Sequence, residues 1–219
     1  MKKWIISIVS ILSICLVFSS TVSEYDAQAV GPTVKIKKYK NNRYYQYAVI
    51  SGAKYKRANA KMLEHTKKIY KVNAKLQTKL KKDLKSGRAM KGMQYWSKIS
   101  CKKKYSSSSK ISILCVNDTY DGGAHGMQTV KSFNLYKGKV IGLKPAFSSE
   151  KNYVDGKSYA KNYMLNHPND YPFADHQTTI AGHSFFWTSK GLKVVFDPYE
   201  VNSYAAGIQY VSVPSKYLK

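Results

Sequence analysis

The chain has 219 residues, with 37 Lys and Arg against 12 Asp and Glu, which gives a formal net charge of +25 at pH 7. A field of this size attracts polyanions and excludes basic proteins that lack a compensating acidic surface. The length is sufficient for one domain, or for two small ones that share a core.

The first residues have the pattern of a secretory signal peptide. Lys2 and Lys3 precede an uncharged apolar run from Trp4 to Val22, and Ala27-Gln28-Ala29 matches a signal peptidase site. We therefore predict a signal peptide at residues 1–29 and a secreted, extracellular, cell-wall-associated protein. The alternative is a retained membrane anchor, because the run is nearly long enough to span a bilayer. We expect no membrane span after cleavage.

The positive charge is concentrated in one half of the mature chain. Residues 30–110 contain 24 Lys and Arg against only Glu64 and Asp83, which gives +22. Residues 111–219 contain 11 Lys against eight acidic residues, which gives +3. We predict a basic N-terminal subdomain (30–110) and a C-terminal subdomain (111–219). Outside a cell, the available polyanions include teichoic acids; the alternative is that the lysines serve solubility alone.

The basic half begins with two predicted strands, residues 34–40 and 44–50, and continues with a long amphipathic helix at residues 57–84. Apolar residues recur at helical spacing: Met62, Ile69, Val72, Leu76, Leu80 and Leu84. Lysines occupy the other face, as a solvated surface or as a polyanion-binding ridge. The candidate polyanion-binding residues are Lys67, Lys68, Lys71, Lys75, Lys79, Lys82, Lys102, Lys103 and Lys104.

Residues 94–105 and 110–120 form a predicted hairpin around Ser106–Ser109. Centring the turn at Ser108 places Tyr105 opposite Ile111 and Cys101 opposite Cys115. Cross-strand Cβ atoms lie about 4.5–5.5 Å apart, near disulfide distance. Cys101 and Cys115 are the two cysteines that remain after signal cleavage, and two cysteines usually pair in an oxidising compartment. We predict a structural disulfide between them.

The sequence of the C-terminal half predicts several strands, most of them in hairpins, and one helix. Predicted strands cover residues 129–135, 140–143, 185–187, 192–196 and 208–213, with a helix at 151–166 and a loop at 167–177. Strands that are adjacent by hairpin, with the helices set apart, predict an α+β fold. The expected architecture is an antiparallel sheet with a long amphipathic N-terminal helix and a second, shorter helix.

Residues 120–126, Tyr-Asp-Gly-Gly-Ala-His-Gly, are the one stretch that suggests chemistry. We expect Gly122, Gly123 and Gly126 to supply positive φ in a sharp reversal, and His125 to bond locally, with Asp121 as the candidate partner. A metal site is the alternative, from His125, His167, His176 and His183 with Asp121, Asp170 or Asp175. These spacings match no zinc signature, and no Gly-x-Ser-x-Gly elbow occurs. We predict no metal, no cofactor and no catalytic residue.

Three segments resemble a known extracellular region. Residues 120–143 (YDGGAHGMQTVKSFNLYKGKVIGL) resemble the start, and residues 191–219 the end, of a domain found in RsiV-type anti-sigma factors and PdaC-type peptidoglycan deacetylases. Residues 45–84 resemble the companion domain that precedes it. The motif residues are Gly122, Gly123, His125, Gly126, Pro198, Tyr199, Glu200 and Gly207. We expect this chain to be a secreted, stand-alone form of these paired domains.

The resemblance implies a binding module. In the RsiV-like proteins this region binds lysozyme, and in the PdaC-like proteins it accompanies a wall enzyme. We therefore expect a non-catalytic cell-envelope module whose partner is an anionic, teichoic acid-like wall polymer. The alternative is a protein-binding module or inhibitor of a wall hydrolase such as lysozyme, which is itself basic and requires an acidic patch. The candidates for that patch are Asp118, Asp121, Asp170, Asp175, Asp197 and Glu200.

Overall fold

The computed structural model describes residues 31–219, so the predicted signal peptide lies outside the described residues. The described part contains nine strands and two α-helices. In chain order these are β1 (Val34–Lys38), β2 (Gln46–Ile50), α1 (Lys56–Lys85), β3 (Trp96–Ser106), β4 (Lys110–Tyr120), β5 (Met127–Tyr136), β6 (Lys139–Ile141), α2 (Glu150–Leu165), β7 (Ser184–Thr188), β8 (Gly191–Phe196) and β9 (Gln209–Pro214). The predicted α+β class, with one long and one shorter helix, is confirmed.

The strands form three sheets, in the orders β1-β2, β3-β4-β5-β6 and β7-β8-β9. All neighbouring strands within a sheet are antiparallel. Each connection between paired neighbours follows the chain order, as hairpins require. Among residues 31–219, no helix combines the length and the apolar character that crossing a membrane requires.

The first core lies between α1 and one face of the four-stranded sheet. Side chains alternate along each strand, so Ile99 and Cys101 of β3 point to the same face as Ile113 of β4 and Leu135 of β5. Met62 of α1 packs onto this face and is 1% exposed. The alternating pattern in the sequence therefore decides which face of the sheet receives the helix.

The second core lies beneath α2. Ala160 and Met164 on one side of α2 are fully buried against the three-stranded sheet, together with Trp187 and Val211. β8 is buried at five of its six residues, which explains its nearly continuous apolar sequence, Gly-Leu-Lys-Val-Val-Phe.

The two larger sheets also contact each other. Leu114 on the outer face of the four-stranded sheet clusters with Phe186 and Val195 of the three-stranded sheet. Buried polar bonds fix the contact: Asn134 Nδ2 donates to the carbonyl of Phe185 at 2.7 Å. The predicted subdomain boundary at 110/111 falls inside β4, after its first residue, and separates β3 from most of the strand with which it pairs and shares the first core. The division into subdomains stays a prediction. In the structure, β4 packs in the same core as β3.

The β3–β4 hairpin confirms one predicted pair and corrects another. Cys101 lies opposite Cys115, and the two are joined by a disulfide. Tyr105, however, pairs with Ser112 rather than with Ile111, because a bulge lies between Lys103 and Tyr105. The bulge shifts the register by one residue and turns Tyr105 away from the first core to pack against the second.

The free edge of β3 is closed by side chains and by one turn. The amide of Ile99 donates to the carbonyl of Tyr44 at 2.9 Å. The amide of Ser97 donates to Asn73 of α1 at 3.0 Å, and that of Cys101 donates to Gln46 of β2 at 3.2 Å. An edge strand presents unpaired groups that must be satisfied or protected. These bonds therefore hold α1 and residues 42–46 beside β3.

Candidate polyanion-binding surface

The helix α1 positions most of the predicted lysines. Lys68, Lys71, Lys75, Lys79 and Lys82 follow one another at spacings of three and four, so they form a single line along the helix. All five are exposed, as is the neighbouring Lys67. We call this set of six lysines the lysine ridge.

The apolar face opposite the ridge differs from the prediction in its second half. Of the six predicted apolar residues only Met62 is buried, whereas Val72 and Leu84 are 39% and 41% exposed. Polar side chains attach this half of α1 instead. Gln77 Nε2 donates to the carbonyl of Tyr95 at 2.6 Å, and Asn73 accepts from Ser97. The apolar period located the helix correctly but overstated how much of it is buried.

Few carboxylates neutralise the lysine ridge. Lys68 pairs with Glu64 at 3.0 Å, and Lys79 pairs with Asp121 at 2.9 Å. Within residues 31–219, no acidic side chain lies within 4.0 Å of the other four ridge lysines, Lys67, Lys71, Lys75 and Lys82. The ridge therefore retains most of its positive charge on an exposed surface.

The structure does not place the three β3 lysines on this ridge. Cys101 points toward α1, so its neighbour Lys102 points to the opposite face of the sheet. Lys104 Nζ lies 4.7 Å from the ring of Phe186 in the three-stranded sheet. Lys102, Lys103 and Lys104 are all exposed, but Lys103 is two residues from Cys101 and points to the same face as Cys101, so the three β3 lysines do not share one surface.

A pocket of about 670 Å³ lies at the C-terminal part of the ridge. Its lining includes four cations and two carboxylates: Lys75, Lys79, Lys82, Arg88, Asp83 and Asp121. Asp83 is buried; its carboxylate accepts from Arg88 Nε at 3.0 Å and from Tyr95 Oη at 3.1 Å. Burial by itself raises the pKa of Asp83, but the bonds from Arg88 and Tyr95 and the nearby cations outweigh it, so the pKa is lowered.

The loop at residues 121–126 joins this pocket to the sheet. Lys79 Nζ donates to both the carbonyl and the carboxylate of Asp121 at 2.9 Å, which raises the pKa of Lys79. Gly122 has φ +104°, and a Cβ there would lie 2.5 Å from Tyr95 Oη. Positive φ was expected at Gly123 and Gly126 as well, and there the expectation is wrong. Gly126 is instead confined by space, since a Cβ would lie 3.0 Å from Asp118 Oδ1.

His125 has partners other than the predicted Asp121. Its Nδ1 lies 2.9 Å from the carbonyl oxygen of Gly126, and its Nε2 lies 3.1 Å from Tyr199 Oη. Its ring stacks on that of Tyr204 at 3.8 Å. The two motif segments, separated by more than 70 residues in sequence, therefore meet through their aromatic rings.

The segment around Pro198 and Glu200 is a turn whose carboxylates bind one of its own amides and groups of two other segments. Glu200 Oε2 accepts from the amide of Asp197, and Oε1 lies 3.3 Å from His183 Nε2. Asp197 Oδ1 accepts from the amide of Val130 at 2.8 Å. Burial and the neighbouring Glu200 raise the pKa of Asp197. Pro198 is buried, Tyr199 adopts φ +74°, and Gly207 has φ +69° in the following turn.

Five of the six candidate acidic residues use their carboxylates in bonds within the protein. Asp118 Oδ2 accepts from Trp96 Nε1 at 3.2 Å, and Asp175 accepts from the amides of Gln177 and Thr178 in its own loop. Asp121 binds Lys79, Asp197 and Glu200 occupy the turn just described, and Asp170 uses its carbonyl to bind Asn202. Among residues 31–219, no three His, Cys, Asp or Glu side chains form a group suited to a metal ion.

Sequence reasoning missed a set of aromatic rings and cations beside β3. Lys98 Nζ lies 5.0 Å from the ring centre of Tyr44 and 4.5 Å from that of Trp96. The ring of Trp96 in turn lies 4.6 Å from that of Tyr120. The signal was present, because the register that pairs Cys101 with Cys115 also places Trp96 opposite Tyr120.

The fold and part of the sequence have known relatives. The family "Protein of unknown function (DUF3298)" matches residues 147–216. A DUF3298 family member from Bacteroides fragilis superposes with a TM-score of 0.55 at 14% identity, covering 86% of this chain and 91% of that one. A DUF3298 family protein from Pseudomonas aeruginosa gives 0.51 at 12% identity, covering 86% and 92%. No match was found among curated proteins. The finer resemblance to the RsiV-type and PdaC-type domains stays a prediction. The chain thus shares the fold of these DUF3298 proteins, and its residues 147–216 match that family in sequence.

Proposed function

We propose that this protein is a secreted, non-catalytic module that binds anionic polymers of the cell envelope through the lysine ridge of α1. The observation that supports it best is the group Lys67, Lys71, Lys75 and Lys82, which is exposed on one helix and, within residues 31–219, forms no ion pair within 4.0 Å. Lysines that neutralise a polyanion release its condensed counterions, so the affinity is expected to fall steeply as salt rises.

The non-catalytic part of the proposal is supported by how the motif residues are used. His125 binds Tyr199 and stacks on Tyr204, Glu200 binds His183 and its own turn, and Asp121 binds Lys79. Each of these groups stabilises a contact between two segments of the chain. The secreted location rests on the predicted signal peptide, and an envelope polymer follows from that location and from the charge.

Titration of the purified protein with inorganic polyphosphate at several salt concentrations tests the ridge. A variant with Lys67, Lys71, Lys75 and Lys82 changed to Gln is compared with one in which four other exposed lysines are changed, Lys139, Lys190, Lys193 and Lys216. Both variants lose the same net charge. We expect the first to lose at least about tenfold in affinity, because each ridge lysine that no longer neutralises a phosphate releases fewer counterions, and the second to lose much less. Equal losses contradict a defined ridge.

A second candidate is a protein-binding surface directed at a wall hydrolase such as lysozyme. It is favoured by the ring cluster of His125, Tyr199 and Tyr204, in which Tyr199 is 49% exposed. Tyr199 also lies in a segment that resembles part of the lysozyme-binding RsiV-type proteins. Aromatic side chains are enriched at protein interfaces. Gel filtration with lysozyme distinguishes the candidates: a complex that survives high salt favours the protein partner over the polyanion.

A further inference from the structure

A second basic surface, made of residues outside the lysine ridge, runs along the edge of β3. It consists of Arg43, Tyr44, Lys98, Trp96 and Tyr120, which we call the aromatic–cation track. Each member contacts the next: the Arg43 guanidinium and Lys98 Nζ each lie 5.0 Å from the ring centre of Tyr44, Lys98 lies 4.5 Å from Trp96, and Trp96 lies 4.6 Å from Tyr120.

The position of the track follows from the sheet. Trp96 and Lys98 are two residues apart on β3, so both point to the face away from α1, and Tyr120 lies directly opposite Trp96. Tyr44 reaches the same edge because its carbonyl accepts from the amide of Ile99. The backbone that carries the track is therefore hydrogen-bonded at Tyr44 and along the β3–β4 pair.

The rings hold the two cations in place. Arg43 Nη2 also donates to Tyr44 Oη at 2.9 Å, and Lys98 lies against two rings at once. A cation that is already ordered loses less conformational freedom when an anion binds, which strengthens binding for a given charge. Asp118 is opposite Lys98, but its Oδ2 accepts from Trp96 Nε1, and no ion pair within 4.0 Å joins it to Lys98 or Arg43.

The track also leads toward the pocket at the end of the ridge. The ring of Tyr120 makes an edge contact with that of Tyr95 at 6.3 Å, and Lys79 of the ridge lies 4.9 Å from the centre of Tyr95. Tyr95 and Lys79 both line the pocket. Ring–ring and cation–ring contacts thus connect the β3 edge to the ridge.

We propose that the aromatic–cation track is a second anion-binding site, at which Arg43 and Lys98 take phosphate groups of an extended phosphodiester polymer. The proposal rests on the proposed function and names the path of the ligand. The ligand is recognised through its charges, because the ring faces of the track are in contact with Lys98, with Arg43 and with one another. Stacking of nucleic acid bases would need free faces.

The test removes rings without changing the charge. Affinity for inorganic polyphosphate is measured for the full protein and for the variants Tyr44→Leu and Trp96→Leu, with Trp96→Phe as the control that keeps an aromatic ring. We expect threefold to tenfold weaker binding for both Leu variants and wild-type affinity for the Phe variant. Affinities of both Leu variants within twofold of wild type overturn the proposal. Tyr44 is 42% exposed, so Tyr44→Leu decides the question even if Trp96→Leu does not fold.

A second arm separates recognition of phosphate charges alone from recognition of nucleic acid bases. Oligothymidylate with the same number of phosphates as the polyphosphate is expected to bind no more tightly than polyphosphate. Tenfold tighter binding, with quenching of the Trp96 fluorescence that is absent in Trp96→Phe, overturns the proposal in favour of base stacking. If the wild type binds neither polymer, the proposed function itself fails. If the wild type binds and the ring variants bind equally well, only the track fails.

Discussion

The imidazole of His125 stacks on the phenol ring of Tyr204, with the ring centres 3.8 Å apart and the planes inclined by 22°. His125 follows β4 in the loop of residues 121–126, and Tyr204 lies in the turn between β8 and β9. The contact therefore joins the four-stranded sheet to the three-stranded sheet at the surface. It gives the most conspicuous motif of the sequence a structural role.

Replacing His125 with Ala is expected to lower the free energy of unfolding by about 0.5–1.5 kcal/mol, the usual contribution of an aromatic pair. Urea unfolding measures the loss. Tyr199→Phe is the matched control, since it removes the hydroxyl 3.1 Å from Nε2 and leaves the stack. A His125→Ala protein that keeps wild-type stability but loses its affinity for polyphosphate would show that the residue serves binding instead.

Gly122→Ala is expected to destabilise the protein, whereas Gly123→Ala is expected to be tolerated. Gly122 has φ +104° and no room for a Cβ beside Tyr95, while a Cβ at Gly123 would meet nothing closer than 4.0 Å. A strained backbone of this kind costs on the order of 1–3 kcal/mol. Thermal unfolding of the two variants compares them directly, and equal melting temperatures would refute the assigned role of Gly122.

Loss of the Cys101–Cys115 disulfide is expected to lower the free energy of unfolding by about 3 kcal/mol, because the bond closes a loop with a sequence separation of 14. Both sulfurs lie in the first core, so the double variant with Ala at both positions also tests packing. Intact mass before and after reduction should differ by two hydrogens. Two free thiols in the native protein would contradict the pairing.

Acidification below the ordinary histidine pKa of 6.5 is expected to destabilise the protein through His65. Burial lowers the pKa of His65, assisted by the positive charges of Lys131 and Lys68 and opposed by the bond with Asn117. Below pH 6.5 the unfolded chain therefore binds a proton that the folded chain does not. The free energy of unfolding consequently decreases as the pH is lowered through this range. The melting temperature of His65→Gln should fall less than that of the wild type between pH 7.5 and 5.5. Parallel curves would contradict this.

Much of the fold follows from periodicities in the sequence. The alternation along β3 and β4 and the single cysteine pair are sufficient to predict Cys101 opposite Cys115. The bulge near Lys103 escaped prediction because it is a response to packing: it turns Tyr105 toward the second core. The local sequence pattern predicts where a strand lies. It does not predict which core the last side chains of that strand will contact.

The candidate site shows the same division. The spacing of the ridge lysines on α1 was sufficient to predict an exposed basic line, since it depends only on helix geometry. The partners of His125 were not predictable, because Tyr199 and Tyr204 are brought to it by the packing of two sheets. The aromatic–cation track likewise depends on Tyr44, whose carbonyl accepts a hydrogen bond from the amide of Ile99 on β3. No sequence motif predicts this bond.

Polymer binding by the lysine ridge is tested most directly by retention of the purified protein on cell-wall sacculi before and after removal of their anionic polymer. The protein is expected to be retained on untreated sacculi, to be released by moderate salt, and to be lost from stripped sacculi. The variant with the four ridge lysines changed to Gln should be retained less than its charge-matched control. Equal retention on stripped and untreated sacculi would contradict the central claim that the lysine ridge binds an anionic envelope polymer.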